Sequence, residues 1–413
     1  MNNQLLVGDC RHLLPTFPDN YFDSCIVDTP YELGFMGKDW DKTGIAYDVL
    51  TWRQVLRVLK PGAHLLAFGG SRTYHRIACA IEDAGFEIRD QIMWVYGSGF
   101  PKSLDISKAL DKAAGAERVV VGNKHEGLGN TRGAGFNHAG GDGLAITAPT
   151  TPEAQQWAGW GTALKPAHEP ICVARKPLSE KTLAANVLRW GTGALNVDGC
   201  RVEMASADRE VVDKRSGASL TRNDLYGSGL TERQAGTKFI SAPAGRWPAN
   251  LVHDGSKQVV ALFPNSAGQQ GNVRGTEPSE MTGSIYGGGY KRQPAAARKD
   301  IGNAARFFYC AKASAAERGP GNDHPCVKPQ SLLRYLARLV TPPGGRILDH
   351  FTGSGSGPLA FTDAGFSWDA IDLDPYHIAI AAGRIEAQQK AAGLYATPFC
   401  SPSTATATPT HAF

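Results

Sequence analysis

A short segment near the C-terminal end constrains the fold more than any other. Ile347-Leu-Asp349 is an apolar run that enters Gly353-Ser-Gly-Ser-Gly357, and a helical stretch then reaches Asp363. A second apolar run, Trp368 to Leu373, carries Asp372, 19 residues after Gly353. Strand, glycine turn, helix and strand in this order require a parallel pair with a crossover. Glycine lets a ligand approach the main chain, and an acid ending the second strand can accept hydrogen bonds from ribose hydroxyls. The spacing is Gly-x-Gly-x-Gly, not Gly-x-Gly-x-x-Gly, which disfavours a dinucleotide with its pyrophosphate.

The N-terminal third has the same alternation. Strands are predicted at Ser24–Asp28, His64–Phe68 and Gln91–Tyr96, with helices at Thr51–Leu59 and Arg72–Ala84 between them. Pro61-Gly62 and Gly85 supply the stops. A strand at Ile171–Ala174, a helix at Leu178–Leu188 and a helix at Ser331–Val340 follow. Asp374 reads as an N-cap, with Pro375 in the first turn of a last helix. The expected class is α/β, with a mostly parallel, Rossmann-like sheet and helices on both faces.

Two stretches break the pattern. Gly122–Gly143 holds eight glycines in 22 residues and reads as a loop. Residues 196–305 are glycine- and arginine-rich with only short apolar pieces, as in an inserted region or long surface loops. Glycine makes up 48 of 413 residues, about 12% against a usual level near 7%, and these stretches hold much of the excess. From Arg201 to Arg306 there are 15 basic and 10 acidic residues, a surplus of +5 in a chain of net charge +4. That local surplus fits a polyanion partner as well as a solvated basic surface. The tail from Thr397, rich in Thr, Ser, Pro and Ala, is expected to be disordered.

The eight cysteines are scattered with no C-x-x-C pair, which argues for a reducing compartment and against a zinc site. His138 and His168 lack ligand-spaced partners and read as loop or packing residues. The sequence offers no signal-peptide pattern and no membrane-length apolar run. A cytoplasmic protein without metal is expected.

Asp28-Thr29-Pro30-Tyr31 ends an apolar strand, where α/β sheets place ligands. The carboxylate can accept a hydrogen bond from an exocyclic amine. The Pro30 carbonyl can accept a second, and Tyr31 can stack on the base carrying that amine. Alone, the segment is equally a polar strand-end turn.

Together the two segments resemble those of the β-class (permuted) amino-group DNA methyltransferases that use S-adenosylmethionine. Asp28–Tyr31 resembles the catalytic Asp-Pro-Pro-Tyr motif, with Thr29 replacing its first proline. Asp349–Gly355 is similar to the cofactor motif Asp-Pro-Phe-x-Gly-Ser-Gly, with His350 replacing proline. His324-Pro-Cys-Val-Lys-Pro329 matches the His-Pro-x-x-Lys-Pro segment before it, and Gly8-Asp9-Cys10 and Asp372–Pro375 match further motifs. Gly34–Trp40, Trp94–Pro101 and Lys165–Pro170 look like segments of bacterial and prophage members. The resemblance covers roughly residues 5–115, 160–200 and 305–390.

It implies a methyltransferase fold with circularly permuted motif order: residues 1–120 as catalytic half, 121–165 as glycine-rich loop, and 166–195 as its continuation. Residues 196–305 would be the target-recognition region, 306–395 the cofactor half and 396–413 the tail. It implies a site-specific enzyme that methylates the N6 amine of a flipped adenine in double-stranded DNA. Asp28, Pro30 and Tyr31 would be catalytic. Asp9, Phe351, Gly353, Gly355 and Asp372 would bind the cofactor, with Lys328 and Ser331 near its methionine end. Thr29 would point away from the base. A homodimer is also implied, and no nuclease or helicase signature accompanies the motifs. Methylation of cytosine N4, a catalytically silent DNA-binding relative, and an RNA or protein-glutamine methyltransferase remain as alternatives.

Overall fold

The computed structural model describes residues 3–34, 39–99, 103–123, 145–204, 245–265, 302–311 and 327–393, with Gly271, Asn272, Arg274, Glu317 and Asn322. These fall into two compact units, Met1–Gly97 with His168–Phe413, and Ser98–Ala167.

The larger unit is built on one nine-stranded sheet. Its strands are β1 (Gln4–Val7), β2 (Phe22–Asp28), β3 (Leu59–Phe68), β4 (Glu87–Val95), β7 (His168–Arg175), β8 (Leu251–His253), β9 (Tyr309–Cys310), β10 (Arg346–Asp349) and β11 (Ser367–Asp372). Their order is β1-β11-β10-β2-β3-β7-β4-β8-β9. Every neighbouring pair is parallel except the two made by β7, which runs against β3 and β4. The sheet is therefore mostly parallel, as expected.

Both faces are covered, and the strand sequences show why. Side chains alternate between faces along a strand. On β2, Ile26 packs into one core while Cys25 and Val27 pack into the other. On β3, Leu66 and Phe68 are divided in the same way from Leu65 and Ala67. The first core is closed by the helices Gln330–Val340, Ser356–Asp363 and Pro375–Ala391, through Leu336, Phe361 and Ile385. The second is closed by Val49–Val58 and Tyr74–Asp83, through Trp52, Val55, Ile77 and Ile81. Hydrophobic runs buried on two sides are what a parallel sheet demands.

The main departures from the sequence reading lie at element edges. Pro61-Gly62, read as a stop between helix and strand, lies inside β3, which starts directly at Leu59. The register jumps there, from Phe22 opposite Leu59 to Ser24 opposite His64, so the extra residues form a bulge. Bulges are where proline and glycine are tolerated inside a sheet. Gly62 has φ +83°, and an added Cβ would meet the Asn186 amide and the Thr192 carbonyl. That amide donates to the Pro61 carbonyl at 2.8 Å and the Thr192 carbonyl at 3.0 Å. The helix expected from Leu178 starts at Leu183, because Thr182 caps it by accepting from the Ala185 N–H. Strand β1 was not anticipated, being four residues with only Leu5 buried. Strand β8, whose residues fall within the expected 196–305 recognition region, belongs to the main sheet.

The smaller unit contains the helix Ile106–Ala113, a hairpin of β5 (Val119–Asn123) and β6 (Ala145–Ala148), and the helix Pro152–Gln156. Asp111 is fully buried and organises it. Its carboxylate accepts from Arg118, from the Thr150 and Thr151 N–H groups at 3.1 and 2.9 Å, and from the Thr151 hydroxyl at 2.8 Å. The glycine-rich run begins within β5, and its residues 124–144 lie outside the described residues, as do 205–244 of the recognition region and the tail.

Gly62→Ala should destabilise the chain by about 1–3 kcal/mol, from left-handed strain and the clash at Asn186. The check is the urea midpoint, and an unchanged midpoint would show that the bulge accepts a side chain.

Candidate active site

The site lies where β10 and β2 run side by side, with Ile347 opposite Ser24 and Leu348 opposite Cys25. The helix after β10 packs in one core and the helix Val49–Val58 after β2 in the other. Chain paths that leave adjacent parallel strands toward opposite faces open a crevice at the strand ends, the usual ligand position in such sheets. Here the crevice is a cavity of about 490 Å³, within the range of small-molecule sites. Asp9, Asp28, Pro30, Tyr31, Lys328, Phe351, Gly353 and Asp372 all line it. Eight of the ten predicted site residues thus converge from widely separated stretches of sequence.

Gly355 and Ser331 are the two that do not. An added Cβ on Gly355, at φ +83°, would lie 2.8 Å from the Ala381 Cβ. Its missing side chain serves helix packing rather than ligand approach. Gly357 lines the cavity instead. Ser331 sits in the first turn of the Gln330–Val340 helix, where its carbonyl accepts from the Tyr309 hydroxyl at 3.2 Å.

The glycine turn is tied to the second strand by the predicted acid. One Asp372 oxygen accepts from the Gly353 N–H at 2.7 Å, the other from the Asp374 N–H at 3.0 Å. Asp374 then caps the last helix by accepting from the Tyr376 N–H at 2.9 Å, as the sequence predicts. Asp9 caps the Cys10–Leu13 helix through the Arg11 N–H at 2.8 Å and also takes the Arg11 guanidinium. That pairing holds its carboxyl below the usual carboxylate range.

Beneath the turn the floor is buried. Asp349 is buried, and burial pushes its carboxyl up to about 8. Burial takes the neighbouring His350 imidazole down to about 3. The His350 ring meets Trp52 edge-on at 5.5 Å, so it fills the proline's place as a neutral packing group.

At the other end of the cavity, the Thr29 side chain is tied to β3. Its hydroxyl donates to the Phe68 carbonyl at 2.7 Å, and the side chain is buried. Behind Tyr31 the chain is held by Asp41, whose carboxylate accepts from the Glu32 and Leu33 N–H groups at 2.9 and 3.1 Å. The Lys328 ammonium lies 2.6 Å from Asp28 Oδ2 and 3.3 Å from Glu169 Oε2. Lys328, expected near the methionine end of the cofactor, thus lines the cavity and also contacts the predicted catalytic acid. Tyr31 donates its hydroxyl to Glu169 Oε2 at 2.8 Å.

Glu169 lies in the Lys165–Pro170 segment that the resemblance picks out, but the sequence gives it no role, for a topological reason. Acids were sought at the C-terminal ends of strands, and Glu169 is the second residue of β7. Because β7 is antiparallel, its first residues lie beside the last residues of β3 and β4, with Phe68 opposite Ile171 and Trp94 opposite Glu169. Among the described residues, no group of three or more His, Cys, Asp and Glu side chains could hold a metal ion. No helix among them is long and apolar enough to cross a membrane.

A two-sided α/β sheet with a glycine turn and an acid-aromatic strand end at one cleft is the arrangement of a nucleoside-binding α/β protein. Residues 22–382 match the N6/N4 DNA methylase family, and the chain belongs to it. The type II methyltransferase M.HindIII of Haemophilus influenzae is 28% identical over 143 residues, 34% of this chain and 35% of that protein. The putative methylase YubD of Escherichia coli is 34% identical over 92 residues, 21% of this chain and 40% of that protein. The matches thus span well under half of these relatives. Among solved structures, the putative DNA modification methylase TTHA0409 of Thermus thermophilus, complexed with S-adenosyl-L-methionine, is 15% identical. It has a TM-score of 0.41, with 94% of each chain covered.

Asp349 yields a pH signature. Its carboxyl stays protonated in the folded chain above the unfolded value near 3.9, so the folded state binds the extra proton between about pH 4 and 8. Stability from this group is lost as pH rises through that window. His350 and His64, both buried neutral, act oppositely, but only below about pH 6.5. Asp349→Asn should therefore gain melting temperature relative to the parent between pH 6.5 and 8. A constant difference across that range would refute the assignment.

Proposed function

We propose that this chain transfers a methyl group from S-adenosylmethionine to the N6 amine of an adenine flipped out of duplex DNA. The observation that carries the reading is the convergence of Asp28, Pro30 and Tyr31 with the Gly353 turn on one cavity. The residues fit the cofactor: the turn presents main chain, Asp372 and Asp9 present carboxylates, and Phe351 presents a half-buried ring. Asp372 would meet the ribose and Asp9 the adenine, with Phe351 and Gly353 where the cofactor approaches the main chain. The cofactor, when bound, supplies an electrophilic methyl on a sulfonium.

The protein supplies alignment and hydrogen bonds. The target amine is a poor nucleophile because its lone pair is delocalised into the ring. Asp28 and the Pro30 carbonyl accept its two hydrogens and draw the nitrogen toward tetrahedral geometry. As the nitrogen–carbon bond forms, the carbon–sulfur bond would break to leave a neutral thioether, and one proton would pass from the nitrogen to water, so the product is a neutral secondary amine. Good orientation of this kind supplies about 7–11 kcal/mol. Flipping the base costs a few kcal/mol, which stacking on Tyr31, at about 1–3 kcal/mol, partly offsets. An acid rather than serine at position 28 favours adenine over cytosine in this family. The basic surplus of residues 201–306 supports a duplex DNA substrate. A homodimer and a cytoplasmic setting belong to the same reading.

Nucleoside mass spectrometry of DNA treated with the protein and labelled cofactor should give N6-methyladenine. N4-methylcytosine would replace the adenine assignment, and no labelled product would reject the reading. Asp28→Ala should lower turnover by at least about 100-fold while cofactor affinity stays near normal. Parallel loss of both would make Asp28 a structural residue.

A further inference from the structure

Lys328 is buried, with only 8% of its side chain exposed, and its ammonium sits between two carboxylates. It lies 5.3 Å from the centre of the Tyr31 ring and 5.2 Å from that of Phe68. A buried ammonium is costly unless it is paired and hydrogen-bonded, and here Asp28, Glu169 and two ring faces meet that cost. The arrangement joins both named parts of the Asp28–Tyr31 motif to one anchor. Lys328 takes Asp28 Oδ2, while Glu169 takes Lys328 and the Tyr31 hydroxyl. Among the described residues, Asp28 Oδ1, itself buried, has no hydrogen-bond partner, while a quarter of the Asp28 side chain stays open.

We propose that Lys328 and Glu169 are positioning residues that fix the Asp28 carboxylate and the Tyr31 ring in the orientation a flipped base requires. This rests on the function proposed above. Neither residue touches the transferred methyl. A carboxylate has about four acceptor positions, so one ammonium fixes its plane and still leaves acceptors for the target amine. Removing the ammonium would leave Asp28 and Glu169 facing each other across a buried gap as like charges. The carboxylate would then rotate away, and Tyr31 would lose the partner that holds its hydroxyl acceptor in place.

The test has an arm that needs turnover and one that does not. Lys328→Met should lower kcat at least about 100-fold while KM for S-adenosylmethionine changes less than about threefold. Lys328→Arg, which keeps the charge, should restore a tenth or more of the loss, and Glu169→Gln should lower kcat about tenfold. An unchanged kcat in Lys328→Met, or a loss confined to cofactor KM, overturns the proposal and returns Lys328 to the cofactor.

The second arm is thermal melting of the full chain without DNA or cofactor. Lys328→Met should lower the melting temperature by several degrees, and adding Asp28→Asn should recover most of that loss. Additive losses overturn the proposal even if the parent protein transfers no methyl group, an outcome that would separately reject the proposed function. Should Lys328→Met not fold, Lys328→Arg and Glu169→Gln decide through kcat, and full activity in both overturns the proposal.

Discussion

Strand β10 lies parallel to β2, Leu348 beside Cys25, and this pairing joins segments more than 300 residues apart. The acid of Asp28 extends from the end of one strand and the Gly353 turn from the end of the other. The two following helices leave toward opposite faces, so the space above this pair is not filled by a helix. The cavity is therefore a consequence of connectivity, and its lining follows from which residues happen to end the strands. Ile26, Ile347 and their neighbours bury both sides of the pair and make its position insensitive to the surface above.

Most of this was legible in the sequence because it rests on local chemistry. Short apolar runs placed β2, β3, β10 and β11, and the Asp374-Pro375 cap placed the last helix. Eight of the ten expected site residues line one cavity, and each lies in a short motif with its own geometric reason. What stayed hidden was non-local. Gly355 carries the motif glycine, but only the position of Ala381 reveals that its lack of a side chain is used for packing. Lys328 carries a charge whose partner is fixed by β2, 300 residues earlier. Glu169 required knowing that β7 runs backwards. Pro61-Gly62 was read as an interruption because sequence cannot distinguish a bulge from a stop.

The electrostatics divide the cavity into unlike ends. Near the Gly353 turn the floor is desolvated, with a carboxyl and an imidazole both held neutral by burial. Near Tyr31 the groups are charged and mutually paired, Lys328 between Asp28 and Glu169. A low-dielectric floor strengthens any dipole aimed across it. A paired polar end can offer acceptors to an amine without having to reorganise.

The neighbour relation of β2 and β10 also bears on how the chain comes to be folded. As the chain emerges from the ribosome, β2 and β3 can pair early, while the opposite edge of β2 waits for residues 346–349. Until then it presents open backbone groups, the feature that invites pairing with the wrong partner. Strand β1 waits longer still, since its neighbour in the sheet is β11. Contacts of such long range slow folding. The residues between Asp28 and Asp349 must therefore be synthesised before the acid and the glycine turn can meet, which makes closure of the cavity one of the last events in maturation.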